Sequence, residues 1–393
     1  MQRSTMATVF SLTLILSSWY SGWNLDAVQA ADHDNVWVYV GNSHIDKAGN
    51  SVINLCQLNR KTGELKHVGD SPSISKPGFV EIHPSGKYLY AVGTSKIGEL
   101  KGQGVVAAYA IDPKTRLLTP LNEQTSGGKN PCHVSVDATG QFVMCANYGS
   151  GAADAELLAV NADGTLTPPT CHVNHSGHSI NTKRQEGPHP HSITMDPENL
   201  NAYVPDLGID AVMVYHINRP SRNFQFAFSL PLKPGAGPRH LVFHPNHKFL
   251  FVCNELDNTV TVFRHHGKGQ KDDVLSSKST LPADFTSENT VAEVRTSKDG
   301  QYIYVSNRGH DSIAVFKCDA ETGDLTTLGF VPSGGETPRN FNIDPSGQFM
   351  IVGNQKTGNV VLFRINQQTG MPEKTEQTLD LPGPICFRFL QDQ

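Results

Sequence analysis

The chain lacks any Cys-x-x-Cys pair. Its seven cysteines are odd in number and scattered: Cys56, Cys132, Cys145, Cys171, Cys253, Cys318 and Cys386. That distribution argues against a disulfide framework, and because most fall in strand-like runs they read as buried free thiols. Basic excess is also missing. The formal net charge is -5 over 393 residues, and a domain that neutralises phosphates along a duplex needs a positive field, so nucleic acid is excluded as a partner. There is no G-x-S-x-G elbow and no phosphate-binding P-loop, which leaves a serine hydrolase or an NTPase without support. Beyond the N-terminus no run reaches about 18 apolar residues, so no stable membrane span is expected once that end is removed.

The N-terminus is the exception. Residues 6–20 are largely apolar, follow Arg3, and lead to the small-residue stretch Ala27-Val28-Gln29-Ala30-Ala31. A positive start, an apolar middle and a small-residue end are the parts of a secretory signal. Residues 1–30 therefore read as a signal peptide cleaved after Ala30, and the mature chain as exported, periplasmic or secreted.

From residue 35 onward a repeat takes over. Its clearest copy runs from Pro238-Arg239-His240-Leu241-Val242-Phe243 through the turn at His244-Pro245 to Phe249-Leu250-Phe251-Val252-Cys253-Asn254-Glu255. Copies begin at Pro77, Pro131, Pro190, Pro238, Val291, Pro338 and Pro384, about 46–59 residues apart. Turns such as His83-Pro84-Ser85-Gly86 and Asp344-Pro345-Ser346-Gly347 join the first two strands of a copy. A third strand follows, and often a fourth after a Thr-Gly turn. Four short strands at this period are the signature of a propeller blade, and the period-2 alternation excludes helical repeats. The last first-strand, Pro384 to Leu390, has only three residues after it. The N-terminal strands in turn lack a first strand. The expected fold is all-β: one seven-bladed β-propeller over residues 35–393, its last blade closed by strands from both termini.

Blade equivalence then selects the candidate residues. The position after each copy's start reads Gly78, Cys132, His191, Arg239, Ala292, Arg339, Ile385, and the next column includes His133, His240 and Glu293, with Arg295 close by. At the end of the second strand an Asn or Asp recurs, which reads as a structural tie. The residue after it varies, and includes Glu255, Arg308 and Gln355. Antiparallel pairing should place Arg239 beside Glu255 at one rim of the channel, with His191 and Arg308 on the flanking blades. The set would serve either as inter-blade ion pairs or as a site, and its surplus of arginine favours an anionic ligand. Residues 174–191 form the longest irregular polar segment and should lie across the channel mouth. Their histidine spacing matches no standard zinc pattern, so no metal is assigned.

Gly187-Pro188-His189-Pro190-His191, Gly237-Pro238-Arg239-His240, Asn254-Glu255, Ala292-Glu293-Val294-Arg295, Ser306-Asn307-Arg308 and Pro338-Arg339-Asn340-Phe341 together resemble the lactonase family of seven-bladed propellers. That family contains propeller-type 6-phosphogluconolactonases and fungal carboxy-cis,cis-muconate lactonising enzymes. The resemblance covers nearly the whole mature chain. It implies metal-independent, cofactor-free acid/base chemistry on a small anionic lactone or its ring-opened acid. The family's catalytic His, Arg, Glu and second Arg fall on His191, Arg239, Glu255 and Arg308. Substrate contacts are expected from His189, His240, Glu293, Arg295, Arg339 and Gln355. Glu255 or His191 would draw a proton from water, and Arg239 would hold the oxyanion. The alternatives are a carboxymuconate cyclase using the same residues and a non-catalytic exported propeller that binds a ligand or protein. The export signal departs from the family's cytosolic sugar-phosphate chemistry.

Overall fold

The computed structural model describes residues 34–45, 51–149 and 154–391. The signal peptide expected at residues 1–30 lies outside them. Seven four-stranded antiparallel sheets follow one another as blades, and the strands from Asn35 onward belong to one unit. In sequence order the blades start with the inner strands Ser75–Ile82, Lys129–Val136, Thr194–Met195, Pro238–Phe243, Thr290–Thr296, Pro338–Ile343 and Pro384–Leu390; they are numbered one to seven here.

The second strand of each blade is apolar on both faces because a blade lies on either side. In blade four Phe249, Phe251 and Cys253 pack against Ile303, Val305 and Phe316 of blade five. The intervening Leu250 and Val252 pack against Tyr203, Val212 and Val214 of blade three. A period of two thus serves two separate cores, and each buried Phe or Leu contributes about 1.5–3 kcal/mol. The outer strand, such as Asp273–Ser279, is mostly exposed. In three blades the recurring Asn ties the rim to the crossover before it. Asn147 Nδ2 donates to Ser126 O at 2.7 Å, Asn307 Nδ2 to Thr280 O at 2.7 Å, and Asn354 Nδ2 to Ser333 O at 3.1 Å.

Blade seven is made from both chain ends, as the orphan strand required. Trp37 pairs with Leu390, Tyr39 with Arg388 and Gly41 with Cys386. Blade three departs from the repeat. Its inner strand shrinks to Thr194–Met195, with an isolated bridge between Pro190 and Asp206. Proline removes donors on both sides of that ladder, at Pro190 and at Pro205. Two bonds survive, from His191 N to Pro205 O at 2.9 Å and from Leu207 N to His189 O at 3.1 Å.

Among the described residues all seven cysteines are free. Cys132 and Cys171 are partly exposed and the other five are buried. Burial pushes the Cys253 thiol up to about 12 and Cys145 well above its ordinary value. A bulky thiol reagent should therefore label neither Cys145 nor Cys253 in the native protein and both after denaturation. Rapid native labelling of the pair would contradict this packing.

Candidate active site

A repeated irregularity builds the site. Pro238 pairs with Asn254 and His240 with Cys253, so Arg239 is bulged out of the ladder. The same slip occurs at Cys132, Arg339 and Ile385. A bulge re-aims the extra side chain. Here it turns Cys132, Arg239, Arg339 and Ile385 into the mouth of the channel. Gly78, Cys132, His191, Arg239, Arg339 and Ile385 all line a cavity of about 560 Å³. Ser43, Thr94, Tyr148, Glu255 and Arg308 join them from the ends of the second strands. Ala292 and Gln355 are among the column members that stay outside. Ala292 gives its carbonyl to Arg239 Nη1, and Gln355 donates from Nε2 to Ser43 Oγ at 3.0 Å.

Glu255 is the centre of the charged wall. Arg239 Nε meets its Oε2 at 3.0 Å, Arg308 Nη2 the same oxygen at 3.0 Å, and Arg184 Nη2 its Oε1 at 2.6 Å. Burial opposes ionisation of Glu255, but the charges of Arg308 and Arg239 and the hydrogen bond from Arg184 outweigh it and hold the carboxyl well below the usual range. Arg308 is further fixed by Nη2 donating to Val291 O at 3.0 Å, while its buried Nε has no partner. Among the described residues Arg339 forms no ion pair. Desolvation, followed by the repulsion of Arg239 and Arg308, brings its guanidinium down to about 9.

The histidines lie deeper. His191 is almost wholly buried, and its Nδ1 has no hydrogen-bond partner among the described residues. Desolvation, and after it the field of Arg239, hold it well below its ordinary value, so the ring is neutral. His240 reaches this cavity and a second one of about 470 Å³ at the other end of the channel. Glu293 is fully buried between them, and Arg295 opens on the second cavity. His189 does not line the mouth. It stacks on Tyr148 at 4.7 Å, bonds Tyr148 O through Nδ1 at 2.8 Å, and so supports a lining residue. The structure therefore brings together His191, Arg239, Glu255, Arg308, Arg339 and His240, and sets Glu293, Arg295, His189 and Gln355 behind or below them.

Arg184 and Tyr148 are the site residues that blade equivalence does not single out as functional. Arg184 comes from the 174–191 segment, an insertion between blades that has no counterpart in the repeat. The segment is anchored by His175 Nδ1 on Asp206 Oδ2 at 2.6 Å and by Gln185 Nε2 on Asp210 Oδ1 at 2.8 Å. Arg184 Nη2 then reaches Tyr148 Oη at 3.1 Å as well as Glu255. The only sequence signal for it is a basic pair, Lys183-Arg184, in the loop expected over the mouth. Among the described residues no group of three or more His, Cys, Asp or Glu side chains is arranged to hold a metal ion.

Such a cavity can grip an oxyanion between guanidinium groups while a neutral imidazole accepts a proton. Comparison with known proteins agrees with its geometry. Residues 38–389 match the family model described as Lactonase, 7-bladed beta-propeller. The chain is 36% identical to the 6-phosphogluconolactonase of Bacillus subtilis, over 90% of this chain and 97% of that one. It is 33% identical to the 6-phosphogluconolactonase of Formosa agariphila, over 90% and 99%. The solved structure of the periplasmic gluconolactonase of Pseudomonas aeruginosa superposes with a TM-score of 0.83 at 27% identity, covering 90% of this chain and 99% of that one.

Proposed function

Because the chain belongs to the seven-bladed β-propeller lactonase family, we propose that its arginine-lined mouth opens a sugar lactone that carries an anionic group. The protein is a lactonase, and its substrate is a small cyclic ester. Charge balance carries the finer reading. Arg184, Arg239, Arg308 and Arg339, with Lys76 at the edge, face a single carboxylate, Glu255. One developing oxyanion does not need that many cations; a phosphate or carboxylate on the substrate does.

In this reading Arg239 stabilises the oxyanion formed at the lactone carbonyl. Arg339, without an ion pair among the described residues, holds the substrate's own anion. Glu255 orients the guanidinium groups. It is a poor base, because three arginines hold it ionised. Water is instead activated by a neutral imidazole on the cavity floor.

Arg339→Met should raise KM for 6-phosphogluconolactone by about 10–100-fold and leave kcat within about threefold. The neutral δ-gluconolactone should respond less. Equal losses on both would place the substrate anion elsewhere. Carboxymuconate belongs in the same assay, since these arginines would also hold a dicarboxylate. Acid release reports lactone hydrolysis, and ultraviolet absorbance reports muconate cyclisation. Export is part of the proposal, supported by residues 1–30. An N-terminal sequence starting at Ala31 in an exported fraction would bear it out, and an intact cytosolic Met1 would oppose it.

A further inference from the structure

The floor of the mouth holds an ordered pair that the arginine wall does not explain. His240 Nδ1 lies 3.1 Å from Glu293 Oε2. Glu293 is fully buried, also accepts from Asn340 Nδ2 and from Val294 N at 3.0 Å, and forms an ion pair with Arg295 Nη1 at 3.0 Å. With these N–H groups aimed at it, the carboxylate is an acceptor, so His240 must donate from Nδ1. A neutral imidazole that donates from Nδ1 keeps its lone pair on Nε2. That Nε2 is buried and has no partner among the described residues. His240 borders the cavity, and its sequence neighbour Arg239 is the arginine assigned to the oxyanion. The nearby His191 has no such arrangement. Among the described residues no carboxylate bonds its ring, so nothing fixes its tautomer.

We propose that His240, oriented by Glu293, is the general base that activates water for lactone hydrolysis, and that Glu293 is a positioning residue. The inference rests on the lactonase reading. His240 Nε2 takes a proton from water as the water oxygen donates a lone pair to the lactone carbonyl carbon. The carbonyl π pair moves to oxygen, beside Arg239. When the oxyanion collapses, the bond to the ring oxygen breaks, and that oxygen receives the proton from His240. The free hydroxyl and the carboxylic acid leave, and the acid loses its proton to solvent. The site is preset for the first step. Desolvation and the field of Arg239, Arg295, Arg339 and Arg388 keep His240 neutral. Glu293 opposes that field and supports the imidazolium once it forms. His133 and His191 are the remaining titratable groups against the ring, each with its centroid 5.4 Å away.

Kinetics on δ-gluconolactone and 6-phosphogluconolactone test the assignment. His240→Gln should lower kcat by about 10²–10⁴-fold with KM nearly unchanged. His191→Gln should cost less than about tenfold. Glu293→Gln should lower kcat and move the acidic limb of kcat/KM to lower pH, because the imidazole loses its counter-charge; a merely structural carboxylate would leave that limb in place. If the His240 variant does not fold, ¹⁵N NMR of the wild-type histidines decides. The Nδ1–H tautomer at His240 is expected, and Nε2–H would overturn the pair. A wild-type protein inactive on every lactone would sink the lactonase reading. An active wild type with His240→Gln within threefold of it would overturn the His240 assignment alone.

Discussion

Deleting Pro384–Leu390 is expected to abolish cooperative folding. The strand is the inner strand of blade seven and supplies the whole pairing partner of one edge of Asn35–Asn42. It also joins the blades on either side. Asn342 Nδ2 of blade six donates to Phe387 O at 2.9 Å, and Arg388 Nε meets Glu81 Oε2 of blade one at 2.8 Å. The Arg388 guanidinium lies 4.8 Å from the Phe79 ring centroid. Phe387 and Cys386 are fully buried. Removal would expose two blade faces and a long edge, a loss comparable to the total stability of about 5–15 kcal/mol of a typical domain. Phe387→Ala is the milder form and should cost about 3–5 kcal/mol. Circular dichroism during thermal unfolding checks both. A truncated protein melting at the wild-type temperature would contradict closure through the two termini.

Glu255→Gln should lower activity strongly without a gross change of fold. The substitution keeps volume and hydrogen bonding but removes the one anion between Arg184, Arg239 and Arg308. The arginines would then repel one another and lose their aim, so kcat/KM should fall by about 10²-fold or more. Breaking a buried ion pair of this kind costs about 3–5 kcal/mol, reduced here because the amide still accepts bonds. The pH dependence distinguishes this from simple loss of packing. The folded-state value of Glu255 is depressed, so its contribution to stability is present above the unfolded carboxylate range and is lost as pH falls below about 4.5. Wild-type melting temperature should therefore drop toward that of the variant in acid. Curves that stay parallel from pH 7 to pH 3 would show that the charge of Glu255 does not stabilise the mouth.

Much of this was legible in the chain because a propeller repeats its physics. The proline at the start of six of the seven copies and the apolar second strand, as in Pro238 and Phe249–Asn254, recur in register, and counting the orphan strand at Pro384 predicts closure. Column reading also places Arg239 opposite Glu255, and the ion pair is present at 3.0 Å. Alignment of columns does not reveal the bulge that aims Arg239, Arg339 and Cys132 into one cavity, since a register slip has no sequence marker here beyond the preceding proline. It is equally blind to Arg184, which belongs to an inserted segment. Depth was the third gap. Glu293 and Arg295 share a strand with rim residues, yet three or four residues along an inner strand is enough to carry a side chain to the far side of the channel floor.

The central claim is that a lactonase acts in the arginine-lined mouth on an anionic substrate. Steady-state hydrolysis of 6-phosphogluconolactone and δ-gluconolactone by the wild type and by Arg339→Met tests it most directly, with spontaneous opening subtracted. Turnover of both lactones by the wild type is expected, with a higher kcat/KM for the phosphorylated one and loss of that preference in the variant. Acid release no faster than the spontaneous reaction on either lactone, or a preference that survives removal of Arg339, would contradict it.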